Sequence, residues 1–317
     1  GRTHRLTEID AELSARSLAG PWRMEGSLRL DGMRTAMTVS TGALDARDGM
    51  RLRLRALPER YPVALETDGN ALIEDGRAHY SGQFRLNTLS ARGQASAQDS
   101  AEAASAHRLT GLFDFDHEVL AVKEFRFETG PLDDPYIAEG SADFALGAEP
   151  RFVIRADGAQ IRFEDAAEAA SGGAALDRRL AALREFLLDA PRPAIPGRIE
   201  VALPAIVAGD TTVRDVHLSA EPSATGWTVA SLGATLPGRT TLEAEGELMV
   251  AEEELGFTGS LLLAVAQPSG FAAWLSKDVD DAIRRLPAAG FSAEVTLDER
   301  RQLFRNLELM LGASKFT

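Results

Sequence analysis

Short segments in which every second residue is apolar recur from one end of this chain to the other, and no catalytic constellation lies among them. Met50-Arg51-Leu52-Arg53-Leu54-Arg55 alternates strictly, as do Leu307-Glu308-Leu309-Met310-Leu311 and Arg151-Phe152-Val153-Ile154-Arg155. A strand of period 2 has one apolar face and one wet face. The chain is therefore built for an all-β sheet with a single greasy side, and what that side meets is the functional question.

The punctuation supports a meander. Strand candidates recur about every ten residues between Gly, Asp, Asn and Pro clusters, the spacing of antiparallel architecture. They fall at 9–17, 22–30, 35–41, 50–56, 63–67, 78–86, 109–115, 121–128, 138–146, 152–156 and 160–164. After a break they resume at 198–203, 213–220, 227–230, 240–250, 256–265, 292–297 and 303–311. Asp31-Gly32, between two alternating runs, is the strongest hairpin signal.

Two segments change period. Over 174–190, Leu176, Leu180, Leu183 and Leu187 fall at helical spacing before Pro191 and Pro193. A second helix fits 269–286, with Phe271, Trp274, Leu275, Val279, Ile283 and Leu286 on one face and Pro287 as its stop. Residues 93–106, rich in Ala, Ser, Gln and Glu, lack periodicity and read as a loop. The organisation expected is a β segment over 1–170, a helical excursion over 171–196 and a second β segment over 197–317, forming one continuous elongated domain.

Composition removes several functions. The 317 residues are 44% apolar, enough for a core, while 34 basic against 48 acidic residues leave a net charge of −14. That balance argues against nucleic acid as a partner. Without cysteine there is neither a disulfide framework nor a thiolate metal site. The longest apolar run, 261–266, is far short of the ~20 residues a spanning helix needs. No signal-peptide core opens the chain. Both ends read as cut, so a fragment is expected, with targeting or anchoring segments elsewhere in a longer protein.

No nucleophile elbow, phosphate loop or dinucleotide fingerprint occurs. Asp114, Asp116, His117 and Glu118 lie close together, but Asp114 and Asp116 alternate with Phe113 and Phe115, which puts the carboxylates on the wet side of a strand and His117-Glu118 in the turn after it. We expect no metal there, no cofactor and no enzymatic activity. Glycosidase carboxylates need no local motif, but their usual companions are clustered aromatics for sugar stacking, and the three Trp and three Tyr here are dispersed.

An internal echo hints at repetition. Leu13-Ser14-Ala15 and Leu218-Ser219-Ala220 each precede a tryptophan, Trp22 and Trp227, by the same interval, and a third Leu89-Ser90-Ala91 lies between them.

Two architectures then compete. Facing sheets would bury the apolar rows in an ordinary sandwich, giving a structural or adhesive module. About 17 strands at ~4.8 Å would instead make one sheet on the order of 80 Å long that must curl, turning its apolar side into a groove. The candidate lining is Leu52, Leu54, Phe84, Phe113, Phe115, Phe125, Phe127, Phe152, Ile154, Ile199, Val201, Leu242, Leu261, Leu263, Leu307 and Leu309.

The stretch 226–248 resembles a recurring unit of the bacterial AsmA-like family. A strand, Trp227-Thr228-Val229, leads to the turn Leu236-Pro237-Gly238, then to a Thr-rich strand from Thr240-Thr241 with Gly246, and later to Phe257-Thr258-Gly259. Pro268-Ser269-Gly270-Phe271, with Trp274-Leu275, is similar to the short helix that follows. The likeness covers 195–317 most clearly; 9–90, with Gly20-Pro21-Trp22 and Glu25-Gly26, share its style. It implies a protein of the Gram-negative envelope, anchored in the inner membrane and projecting a β-groove into the periplasm. There it would carry phospholipid towards the outer membrane and contribute to outer-membrane assembly, with acyl chains as the bound partner.

Overall fold

Alternation of this kind produces strands, and the computed structural model is almost entirely β. Among the described residues its 18 strands belong to an antiparallel sheet that does not close into a barrel, with 75% strand and 5% helix. The structure describes residues 5–45, 49–61, 63–88, 108–129, 135–163, 184, 188, 193–208, 211–251, 254–275, 281, 285–298 and 300–317. The predicted loop at 93–106 lies outside these residues. Of the predicted helix 174–190 only Arg184 and Leu188 are described, both helical.

The chain divides into two compact units, Gly1–Phe152 and Val153–Thr317. The first contains β1 (Leu6–Ala15), β2 (Trp22–Leu30), β3 (Met33–Thr41), β4 (Met50–Pro58), β5 (Val63–Glu74), β6 (Arg77–Thr88), β7 (Arg108–Phe115), β8 (Val119–Thr129) and β9 (Tyr136–Ala145). β10 (Arg151–Phe163) begins in the first unit and runs into the second. The second unit continues with β11 (Gly197–Ala208), β12 (Thr211–Pro222), β13 (Gly226–Leu236), β14 (Thr240–Ala251), β15 (Glu254–Val265), β16 (Ala289–Asp298), β17 (Gln302–Leu311) and β18 (Ser314–Phe316), with one short helix, Pro268–Leu275, after β15.

Within each unit consecutive strands pair antiparallel. Asp31 and Gly32 both take positive φ, 51° and 86°, as the tight Asp-Gly hairpin requires. Asp75 and Gly76 repeat this geometry between β5 and β6 at 49° and 76°. The same dipeptide signal was legible there, and it extends β5 beyond the predicted 63–67.

Three expectations need correction. The two strands expected at 152–156 and 160–164 are a single strand, β10, because Asp157-Gly158 is crossed without a turn. β13 continues from the expected 227–230 through Leu236: the small residues Gly233 and Ala234 interrupt the apolar pattern without ending the strand. β18 was not expected. The second helix is described over Pro268–Leu275, with Asp281 helical further on; the rest of 276–284 lies outside the described residues.

The helix is fixed to the Leu236-Pro237-Gly238 turn. Gln267 N donates to Gly238 O at 2.9 Å, and a Cβ on Gly238 would stand 2.4 Å from Phe271 N, so only glycine permits this approach. Thr240, fully buried, donates from Oγ1 to Pro237 O at 3.0 Å and closes the turn. The sequence echo also has a structural form. Ala15 pairs with Trp22 and Pro222 with Trp227, so in both cases the tryptophan lies at the start of the second strand of a hairpin. The registers differ, and the third Leu-Ser-Ala lies outside the described residues.

Candidate functional site: an apolar face in each unit

Register decides which residues share a face, because directly opposed residues point the same way. In the first unit one row runs Met24, Val39, Leu54, Thr67, Phe84, Gly111, Phe125 and Gly140 from β2 to β9. A neighbouring row runs Leu52, Gly69, Gly82, Phe113, Val122 and Ala142. On the other side lies Leu65, Leu86, Leu109, Phe127 and Ala138. Phe115 stands between Tyr80 and Leu120, and Phe152 packs against Phe144 with ring centroids 6.3 Å apart. All eight candidates in this unit thus lie on one face.

The second unit does the same. Val201, Leu218, Leu232, Ala244, Leu261 and Ala293 form one row; Ala234, Leu242, Leu263, Phe291 and Leu309 form another. Ile199 stands across from Ala220. Ile154 is on the side of β10 opposite Arg155, which reaches Glu200 at 3.1 Å on the charged face. Leu307 joins Leu309 on the apolar side, while the left-handed residue Asn306, φ 50°, re-phases the strand so that Phe304, opposite Val295, is also apolar-facing. Simple alternation from Leu309 would have turned Phe304 to the wet side.

Within each unit the strands make one layer. The consequence is partial burial: Leu52, Leu54, Phe84, Phe125, Leu242, Leu261 and Leu263 are all half-buried. Among the described residues 13 hydrophobic side chains are buried and seven of them are alanines, too little volume for the filled core of a sandwich. In the second unit Ala220, Ala234, Ala244 and Ala293 on the apolar face are buried, whereas Ala202, Ala230 and Ala264 on the other face are exposed.

Glycine pairs bring neighbouring strands close together in mid-strand. Gly69 opposes Gly82, and Gly246 opposes Gly259. A Cβ on Gly82 would lie 2.3 Å from Asp68 O, and one on Gly259 2.0 Å from Glu245 O. In mid-strand the neighbouring backbones thus close in on the apolar side more tightly than any side chain allows. Gly111 leaves room for a ring instead: its Cβ would be 2.7 Å from Phe84 Cε1. One polar station interrupts the first unit's face. Tyr80 donates from its hydroxyl to Leu52 O at 3.1 Å, lies 2.7 Å from Thr67 Oγ1 and meets Phe113 edge-on at 4.8 Å; burial raises its pKa.

The opposite face is charged and self-paired. Asp68 accepts from Arg51 at 2.7 Å and Arg53 at 2.9 Å, and these bonds, Arg51 foremost, lower its pKa. Glu128 is held by Arg126 at 2.8 Å and Arg108 at 3.0 Å, and its pKa is lowered by Arg126 first, then Arg108. A furrow of about 1200 Å³ runs between two such rows in the first unit. Arg23, Arg53, Arg55, Arg85 and Arg126 line it together with Glu25, Glu66, Asp68, Glu124 and Glu139, so it has no excess charge with which to hold an anionic headgroup. This furrow lies on the wet side of the sheet, not on the apolar one.

Because Glu128 titrates below its ordinary range when folded, its contribution is complete above that range and is lost as pH falls from there through the lowered folded value. Glu128→Gln should cost about 1 kcal/mol at neutral pH. The difference from wild type should shrink as the solution is acidified, read by urea unfolding at several pH values.

The acidic cluster near Asp114 is accounted for locally. Asp114 meets His79 at 3.3 Å and Lys123 at 3.1 Å, while Asp116 Oδ1 accepts the backbone N–H groups of Glu118 and Val119 at 2.7 Å each, an Asx turn that lowers its pKa. Among the described residues no group of three or more His, Cys, Asp or Glu side chains is placed to hold a metal, and no helix is long and apolar enough to cross a membrane. No protein-family model, curated protein or solved structure matches the chain.

Proposed function

We propose that the apolar face of each unit binds the acyl chains of phospholipid and that the protein works without catalysis as a lipid conduit of the bacterial envelope. The observation that carries this is a single-layered face of half-buried Leu, Phe, Val and Ile in each unit, with an ion-paired surface on its other side. Water leaves such a face readily, and at ~0.8 kcal/mol per CH₂ two long acyl chains gain on the order of 20 kcal/mol by leaving water. The headgroup needs no recognition site, since it can stay in solvent at the open side. The likeness of 226–261 to the AsmA-like unit supports a periplasmic place for this surface, tethered to the inner membrane by a segment outside this sequence, with factors at both membranes as partners.

The test is mass spectrometry of lipids extracted from protein purified without detergent, beside a soluble β-sandwich. Stoichiometric phospholipid above the control is the expected result. Lipid at the control level would overturn the reading and leave a scaffold or adhesive module in its place.

A further inference from the structure

We infer that one rim of the first unit is a membrane-docking edge, seated on the zwitterionic surface of a phospholipid leaflet. The meander brings the β1–β2, β3–β4, β5–β6 and β7–β8 turns and the end of β9 to the same end of the strands. At or beside each of these five places stands a large exposed apolar side chain: Leu18 at 97%, Leu44 at 55%, Ile73 at 77%, then Val119 and Leu146. A single exposed leucine is ordinary on a protein surface, but one at every successive turn of a rim is not scatter.

Leu18 projects from an ordered loop. Ser17 O accepts from Gly20 N at 3.0 Å and from Trp22 Nε1 at 3.1 Å, and Ser17 Oγ donates to Gly20 O at 2.8 Å. Leu44 N donates to Ala19 O at 2.8 Å, so the two neighbouring turns are joined. The leucine is held outward on a braced loop, where the fold gives it nothing to pack against.

Spacing and charge select the occupant. Successive hairpins are about 10 Å apart, twice the strand spacing, so the five side chains are strung over roughly 40 Å. Polar turn residues separate them, leaving no continuous apolar patch of the kind a protein partner covers. A lipid interface needs no such patch, because each side chain enters between headgroups by itself. Among the described residues of these turns Asp45, Glu74, Asp75, Asp116, Glu118 and Glu149 outnumber Arg16 and Arg77, which suits a zwitterionic leaflet and not an anionic one. Ile73 stands two residues beyond Ala71, which opposes Tyr80 on the apolar side, and Phe115 opposes Tyr80 there as well, so the rim is continuous with the apolar face. Docking would bring that face to the membrane, where acyl chains can enter it; this consequence rests on the lipid reading above, and docking itself does not.

The intact chain should float with phosphatidylcholine vesicles and bind less when phosphatidylglycerol is added to them. Leu18→Ser with Ile73→Ser should weaken that binding at least about tenfold at an unchanged melting temperature. Tyr61→Ser, at an exposed position in the β4–β5 turn of the opposite rim, should leave it unaltered. Since the chain has no cysteine, an environment-sensitive dye on Leu18→Cys reports the contact directly. Its emission should shift to the blue with vesicles, and the same dye on Tyr61→Cys should not. No binding to phosphatidylcholine overturns the inference. So does binding that the double variant keeps, binding that phosphatidylglycerol strengthens, or an equal shift at the two dye positions. Vesicle binding is read apart from lipid carried by the purified protein, so failure of the docking rim and failure of the lipid-binding face are distinguishable.

Discussion

Phospholipid bound to the purified protein should fall at least tenfold when Leu54, Phe127 or Leu263 is replaced by aspartate, while the sheet stays folded. Leu54 lies between Val39 and Thr67, Phe127 between Leu109 and Ala138, and Leu263 between Leu242 and Phe291. Leu54 and Leu263 are only half-buried, so in the empty protein a carboxylate there still reaches water and folding survives. Covered by an acyl chain, the same carboxylate would lose its hydration without gaining a partner. That penalty is several kcal/mol, more than enough to expel the lipid locally. Circular dichroism melting separates the outcomes. Unfolding of the variants would mean these residues fill a closed core, and wild-type lipid content in all three would exclude them from any lining.

Gly259→Leu should destabilise the protein by about 3 kcal/mol, with Gly82→Leu similar, because the added atoms meet partner-strand backbone rather than a side chain that can rotate away. Gly147→Ala, with nothing within 4 Å of the new Cβ, should change stability by less than about 0.5 kcal/mol. The urea midpoint reads both. Equal midpoints for Gly259→Leu and Gly147→Ala would mean that the close approach of the strands at Gly259 does not depend on glycine.

Much of this architecture was written locally. Strict alternation at Met50–Arg55 and the Asp31-Gly32 dipeptide each specify their conformation within a few residues, and β2 has the boundaries its sequence predicted, Trp22–Leu30. The errors arose where the local signal was weak or contradicted. Asp157-Gly158 looks like a turn and is mid-strand, because neighbouring strands continue past it; Gly233 looks like a break and is accommodated under the His217 ring, whose Cε1 would lie 1.8 Å from a Cβ there.

The amino-acid sequence by itself determined the strands, their one-sided polarity and the absence of a motif for covalent chemistry, since alternation and turn propensity act over a handful of neighbours. Only the tertiary structure decided that the candidate residues of each unit fall on a common face and that charges on the other face cancel in pairs. A face is shared only when register is fixed, and register depends on bulges such as Asn306 and on glycine pairs such as Gly246 with Gly259, whose partners are distant in sequence. Each is a contact between strands, and no single strand contains the information to set it.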